Sequence, residues 1–147
     1  MSENSKLQLR EKITDLLSNQ KLAVLATRGK KQPHGSLVAF AYSKDLQFII
    51  FATAKDTIKY DNIQKYPLIS LLVDNRKNNL KNFEDAVALT IIAKGETVGK
   101  QPFSELYLAR FPDLREFLED PRTALILLKV QKYIYVQRFN EIQNLKI

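Results

Sequence analysis

Apolar residues recur at three- and four-residue spacing through Leu9, Ile13, Leu16 and Leu17, which predicts an amphipathic helix over 6–19 that stops at Asn19. The period then shortens. Leu22 to Thr27 reads as a strand, and Arg28 to Pro33 as a turn. Strand signals return from Gly35 to Tyr42 and from Leu46 to Thr53, joined by the short linker Ser43-Lys44-Asp45, which suits a hairpin. From Thr57 to Tyr66 the pattern is helical again, and Pro67 ends it. Leu68 to Val73 is an apolar run with β-branched content, hence a buried strand, and the polar stretch Asp74 to Asn79 is a turn. Ala86 to Val98 predicts a long strand bending near Gly95. Two short helices follow over 103–111 and 113–119, separated by Pro112. Thr123 to Phe139 is a final long strand in which Tyr133, Tyr135 and Gln137 alternate with Ile134, Val136 and Arg138.

About six strands and three or four helices, in an order that is not βαβ, exclude the parallel doubly wound folds. An antiparallel barrel decorated with helices is the simplest closure, because it leaves no exposed edges. With 147 residues, no repeat and no linker, one domain spanning 1–147 is expected.

Composition adds limits. Hydrophobic residues make up 45% and charged residues 27%, a globular balance. There is no Cys, which rules out disulfides and thiolate metal sites. No apolar run approaches the ~20 residues of a membrane-spanning helix, and a soluble, cytoplasmic protein is the expectation. The net charge of +7 suits an anionic partner. The basic residues are scattered, however, and neither an Arg-rich groove-reading helix nor an RNP-like aromatic sheet is present, so nucleic acid is not expected. A phosphorylated small ligand fits the charge as well.

Side chains for acid–base work are few. His34 is the sole His, so no His-ligated metal cluster can form within one chain, and no metal site or catalytic residue is assigned. The four Gly residues, Gly29, Gly35, Gly95 and Gly99, are isolated, without a Walker loop or GxGxxG sequence. Chemistry on such a scaffold points to a cofactor. One local set suits a phosphate monoester: Thr53 at the end of a strand, then Thr57 and Lys59 at the opening of a short helix, where hydroxyls, an ammonium group and free amides converge. The same residues also fit an ordinary N-cap by Asp56 or Thr57.

The succession Leu22–Thr27, Pro33–Phe40, Phe48–Thr53, Thr57–Lys59 and Tyr66–Asp74, continuing through Asp74-Asn75-Arg76 and Ala93-Lys94-Gly95-Glu96, resembles the pyridoxamine 5′-phosphate oxidase-like flavoproteins. The resemblance implies a mainly β (α+β) fold, an antiparallel six-stranded split β-barrel with flanking short helices. It implies FMN in a cleft between the two subunits of a homodimer. Thr53, Thr57 and Lys59 match the family's phosphate-binding stretch. Ser36, Leu37 and Val38 match the strand that lines the flavin ring, and Phe51 and Ala52 lie beside the ring or the ribityl chain. Arg76 and Asn78 match a polar loop that reaches toward the flavin, from the partner subunit in some arrangements. Departures are equally plain. Ser36 and Ala39 replace basic residues of the flavin strand, Ala88 stands where the oxidases have Gln, and there is no Trp. Synthesis of pyridoxal phosphate is therefore not expected. The expectation is a small FMN-dependent oxidoreductase. The alternatives are a non-catalytic FMN-binding, sensing or electron-transfer protein, or a split barrel that binds haem or the deazaflavin F420.

Overall fold

The computed structural model describes residues 1–77 and 84–147. The elements are α1 (Glu3–Asn19), β1 (Leu22–Arg28), β2 (Pro33–Tyr42), β3 (Phe48–Ala54), α2 (Ile58–Lys65), β4 (Leu68–Asp74), β5 (Val87–Val98), α3 (Ser104–Arg110), a 3-10 turn at Pro112–Leu114, α4 (Arg115–Glu119), β6 (Thr123–Gln137) and β7 (Glu141–Lys146). The sheet runs β3-β2-β1-β4-β5-β6-β7, with β3 also pairing β6. Six antiparallel strands thus close a barrel, and the expected fold stands. β6 outruns β3, and β7 covers the exposed edge of its second half, from Lys132 to Gln137.

Strand alternation explains which side chains go inward. Leu25, Phe40, Phe51, Leu71, Leu89 and Ile126 are all 0% exposed and fill the barrel. Each such burial is worth about 1.5–3 kcal/mol of transfer free energy. A bulge in β6 is needed to keep this pattern. Ile92 pairs Lys132 while Ala93 pairs Val130, leaving Gln131 extra. Inward positions therefore switch from Leu128 and Val130 to Tyr133 and Tyr135, and all four stay buried.

The helices close three surfaces. α1, capped by Ser2 through the Ser5 amide at 3.1 Å, buries Leu9, Ile13, Leu16 and Leu17 at one barrel end. α2 stops the other end. Its Ile63 packs where Gly95 leaves room, and its Asn62 amide donates to Thr27 Oγ1 at 3.1 Å. α3 and α4 cover the outside of β2, β3 and β6, around Ala41, Ile50, Leu125 and Leu127. Arg110 of α3 reaches back to donate to the Leu17 and Gln20 carbonyls at the end of α1. Its guanidinium lies over the Phe40 and Tyr42 rings. Partial burial lowers its pKa from the usual value.

Several boundaries differ from expectation: α1 begins at Glu3 and β2 at Pro33, and two others have a visible cause. The third strand begins at Phe48, not Leu46. Leu46 sits in the hairpin turn with φ 63°, buried because its carbonyl accepts from the Tyr133 hydroxyl at 2.9 Å. The last strand ends at Gln137, not Phe139. Arg138 and Phe139, both with positive φ, turn the chain into β7.

Candidate functional site: a split between two strands

β2 and β3 pair over only three positions, Tyr42↔Ile49, Ala41↔Ile50 and Phe40↔Phe51. Beyond Phe40 the strands part. The rest of β2 pairs β1 alone, and the rest of β3 pairs β6 alone. The Ser43 amide donates to the Phe48 carbonyl at 2.9 Å, which fixes the phase of the ladder. Alternate positions then turn their backbone groups across the gap. These are Leu37 and Ala39 on one edge, and Ala52 and Ala54 on the other. The barrel is split here, and the split exposes hydrogen-bonding backbone.

At one end of the split β3 turns into α2. The side chain of Thr57 is the N-cap, accepting from the Tyr60 amide at 3.3 Å and donating to the Ala54 carbonyl at 2.8 Å. Thr53, 2% exposed, lies 3.2 Å from Thr57 hydroxyl to hydroxyl. With one proton each, these hydroxyls are committed to holding the corner. What remains open is the first turn of α2. The amides of Ile58 and Lys59 have no partner among the described residues, and the half-buried Lys59 makes no ion pair there. Arg122, near Asp56, is engaged instead by Asp120 at 2.8 Å. Those hydrogen bonds hold the Asp120 carboxyl down at about 2.

The other expected residues separate by strand phase. Leu37 points outward and is 68% exposed. Val38 and Phe51 point into the barrel at 5% and 0% exposure, so their side chains form the wall behind the split. Ala52 points outward beneath α3. Ser36 points inward beside this corner, and its Oγ is buried without a hydrogen-bond partner among the described residues. Arg76 lies elsewhere: β4 runs from Leu68, opposite Lys94 at the α2 end, to Asp74, about 20 Å away at the usual rise per strand residue. There Arg76 pairs Asp74 at 2.7 Å. It does not join Thr57 and Lys59 within one chain. Asn78 lies outside the described residues. The lone imidazole, His34, is half-buried opposite Thr27.

One residue at the split has no counterpart in the sequence reading. Tyr107 of α3, 1% exposed, donates its hydroxyl to the Ala39 carbonyl at 3.0 Å. Spacing within 103–111 carries no sign of this, because the contact joins residues 68 apart in the chain.

Among the described residues, an ammonium without an ion pair, two amides without partners at a helix start and an unbonded hydroxyl meet beside strand edges that do not ladder to each other, a donor set that suits a phosphate. A family model described as "Pyridoxamine 5'-phosphate oxidase" matches residues 9–137. A search of curated protein sequences returns no match. Among solved structures, a haem-binding protein from Mycobacterium smegmatis superposes with TM-score 0.80 at 12% identity, over 93% of this chain and 57% of that one. This chain thus spans little more than half of that protein. General stress protein 26 from Bacillus anthracis gives TM-score 0.74 at 20% identity, over 95% of this chain and 99% of that one. A FAD-binding protein from Mesorhizobium loti gives 0.68 at 13% identity, over 85% and 90%. At these identities the likeness establishes the fold alone. Because the family model covers most of the sequence, the chain belongs to the pyridoxamine 5′-phosphate oxidase family.

Proposed function

We propose that the β2–β3 split binds FMN and that the protein is a small FMN-dependent oxidoreductase working as a cytoplasmic homodimer. The observation that carries this reading is the meeting of two unladdered strand edges with an uncommitted Lys59 at the start of α2. Lys59 Nζ and the amides of Ile58 and Lys59 hold the phosphate, at the positive end of the helix. Thr53 and Thr57 act one step back, fixing the corner that aims those donors. Ser36 offers its orphaned hydroxyl, and Leu37 with the Ala39 N–H and the Ala52 carbonyl lines the ring. When bound, flavin supplies the hydride or electron transfer that this chain's side chains lack. The protein's part is to bind, orient and exclude water.

The second copy is expected on the outer face of β1, β2, β4 and β5. Leu37, Val24, Leu72 and Thr90 lie in one cross-strand row there. Leu22, Leu37 and Leu68 are each more than half exposed among the described residues, and none of the described helices covers them. So continuous an apolar face is rare on a monomer. A two-fold partner on this face is also the route by which Arg76, remote within its own chain, reaches a flavin.

The test is a fluorescence titration of FMN against the full chain and its Lys59→Ala variant. Loss of a charge-assisted bond is expected to weaken binding by about 1.5–3 kcal/mol, roughly 10- to 150-fold. Equal affinities would remove the phosphate assignment. Because the structural neighbours include a haem-binding protein, haemin is titrated in parallel. Haemin binding that depends on His34, without FMN binding, would overturn the flavin reading.

A further inference from the structure

The β2–β3 ladder ends one bonded pair early. Ser43 and Phe48 form a bonded pair. By the alternation of an antiparallel ladder the next are Ala41 with Ile50, and then Ala39 with Ala52. That last pair is not in the ladder. In its place stands the hydroxyl of Tyr107, which donates to the Ala39 carbonyl at 3.0 Å and lies beside the Ala52 backbone. The phenol hydroxyl thus takes the carbonyl that an Ala52 N–H would use in the ladder. The ring behind it has little freedom. It is 1% exposed, packs with Ala41 and Ile50, and lies 5.2 Å from the Phe111 ring.

We infer that Tyr107 is a wedge: a positioning residue whose hydroxyl keeps β2 and β3 apart and sets the width of the split. The wedge stands on the end of the ladder and the Tyr107 hydrogen bond, whereas its consequence for FMN rests on the flavin reading above. Without the hydroxyl, the half-buried Ala39 carbonyl loses its donor. The chain can satisfy it with the Ala52 amide by extending the ladder one pair. That closure draws Leu37 toward Ala54 and takes up the Ala39 N–H and the Ala52 carbonyl, the groups assigned to the ring. Tyr107→Phe keeps the ring and its packing, so it tests the hydroxyl and not the core.

The experiment pairs an FMN titration with backbone NMR on the full chain, wild type and Tyr107→Phe. The variant is expected to bind FMN at least tenfold more weakly. Before FMN is added it is also expected to show a new Ala39–Ala52 cross-strand contact and slowed exchange of the Ala52 amide. Unchanged affinity together with an unchanged Ala39–Ala52 spacing would overturn the wedge. If wild type takes up no FMN, the flavin reading falls, and the NMR comparison alone decides the wedge. Should the variant fail to fold, wild type still carries a test: a slowly exchanging Tyr107 hydroxyl proton close to the Ala52 amide. Its absence would overturn the inference.

Discussion

Adding one methyl group at Gly95 probes how tightly the barrel holds the helix that begins the candidate site. A Cβ there would lie 2.9 Å from Ile63 Cγ2 and 3.1 Å from Leu128 Cδ2. Both neighbours are essentially unexposed. Ile63 Cγ2 is a short branch on a stiff β-branched side chain, so it cannot rotate away cheaply. Either α2 or the end of β5 must shift. Overpacking of this kind costs about 1–3 kcal/mol. The smaller conformational freedom of Ala in the unfolded chain returns about 0.4–1 kcal/mol. Gly95→Ala is therefore expected to lose up to about 2.6 kcal/mol, a fall in Tm of up to roughly 10 °C at this chain length. Ile63→Ala alone should cost about 2–5 kcal/mol through its cavity. In the double variant the new methyl fills part of that cavity, so the two losses should fall short of their sum by more than ~0.5 kcal/mol. Urea unfolding of the four proteins, with m held constant, measures this cycle. Additivity, or a stabilised Gly95→Ala, would refute the packing argument.

Burial raises the pKa of Tyr133, whose hydroxyl also donates to Leu46. A tyrosine that holds its proton more tightly when folded stabilises fully below the unfolded value near pH 10, and this contribution is lost as pH rises above it. Tyr133→Phe should flatten the alkaline limb of a stability–pH curve measured by urea unfolding and should cost about 0.5–1.5 kcal/mol at neutral pH; an unchanged limb would refute the assignment. Leu72→Asp, on the uncovered sheet face, should turn a dimer into a monomer in sedimentation velocity at micromolar concentration. A wild-type monomer under those conditions would count against the two-subunit site.

The sequence displays its fold wherever burial has a period. Leu9, Ile13, Leu16 and Leu17 mark α1 because one helix face is covered. The strands show because inward residues alternate along a barrel wall. β7 escapes because its turn uses Arg138 and Phe139 at positive φ, where Gly or Asn would have signalled it, and because only Leu145 of the strand is deeply buried. Leu46 misleads because its burial comes from a turn folded under Tyr133. Within the site, Thr53, Thr57 and Lys59 are legible because they are local, a strand end running into a helix cap. The resemblance drew in Arg76, yet only topology reveals that β4 carries it to the opposite end. Tyr107 is invisible for the converse reason, since a tertiary contact brings it to the split.

The central claim is that the split carries flavin, and the visible absorption spectrum of the freshly purified protein tests it most directly, with FMN added if the protein is colourless. Bands near 375 and 450 nm, roughly those of oxidised flavin as a cofactor property, are predicted to persist after gel filtration. No bands and no retention of added FMN would contradict the account, leaving the barrel and its split but removing flavin from it.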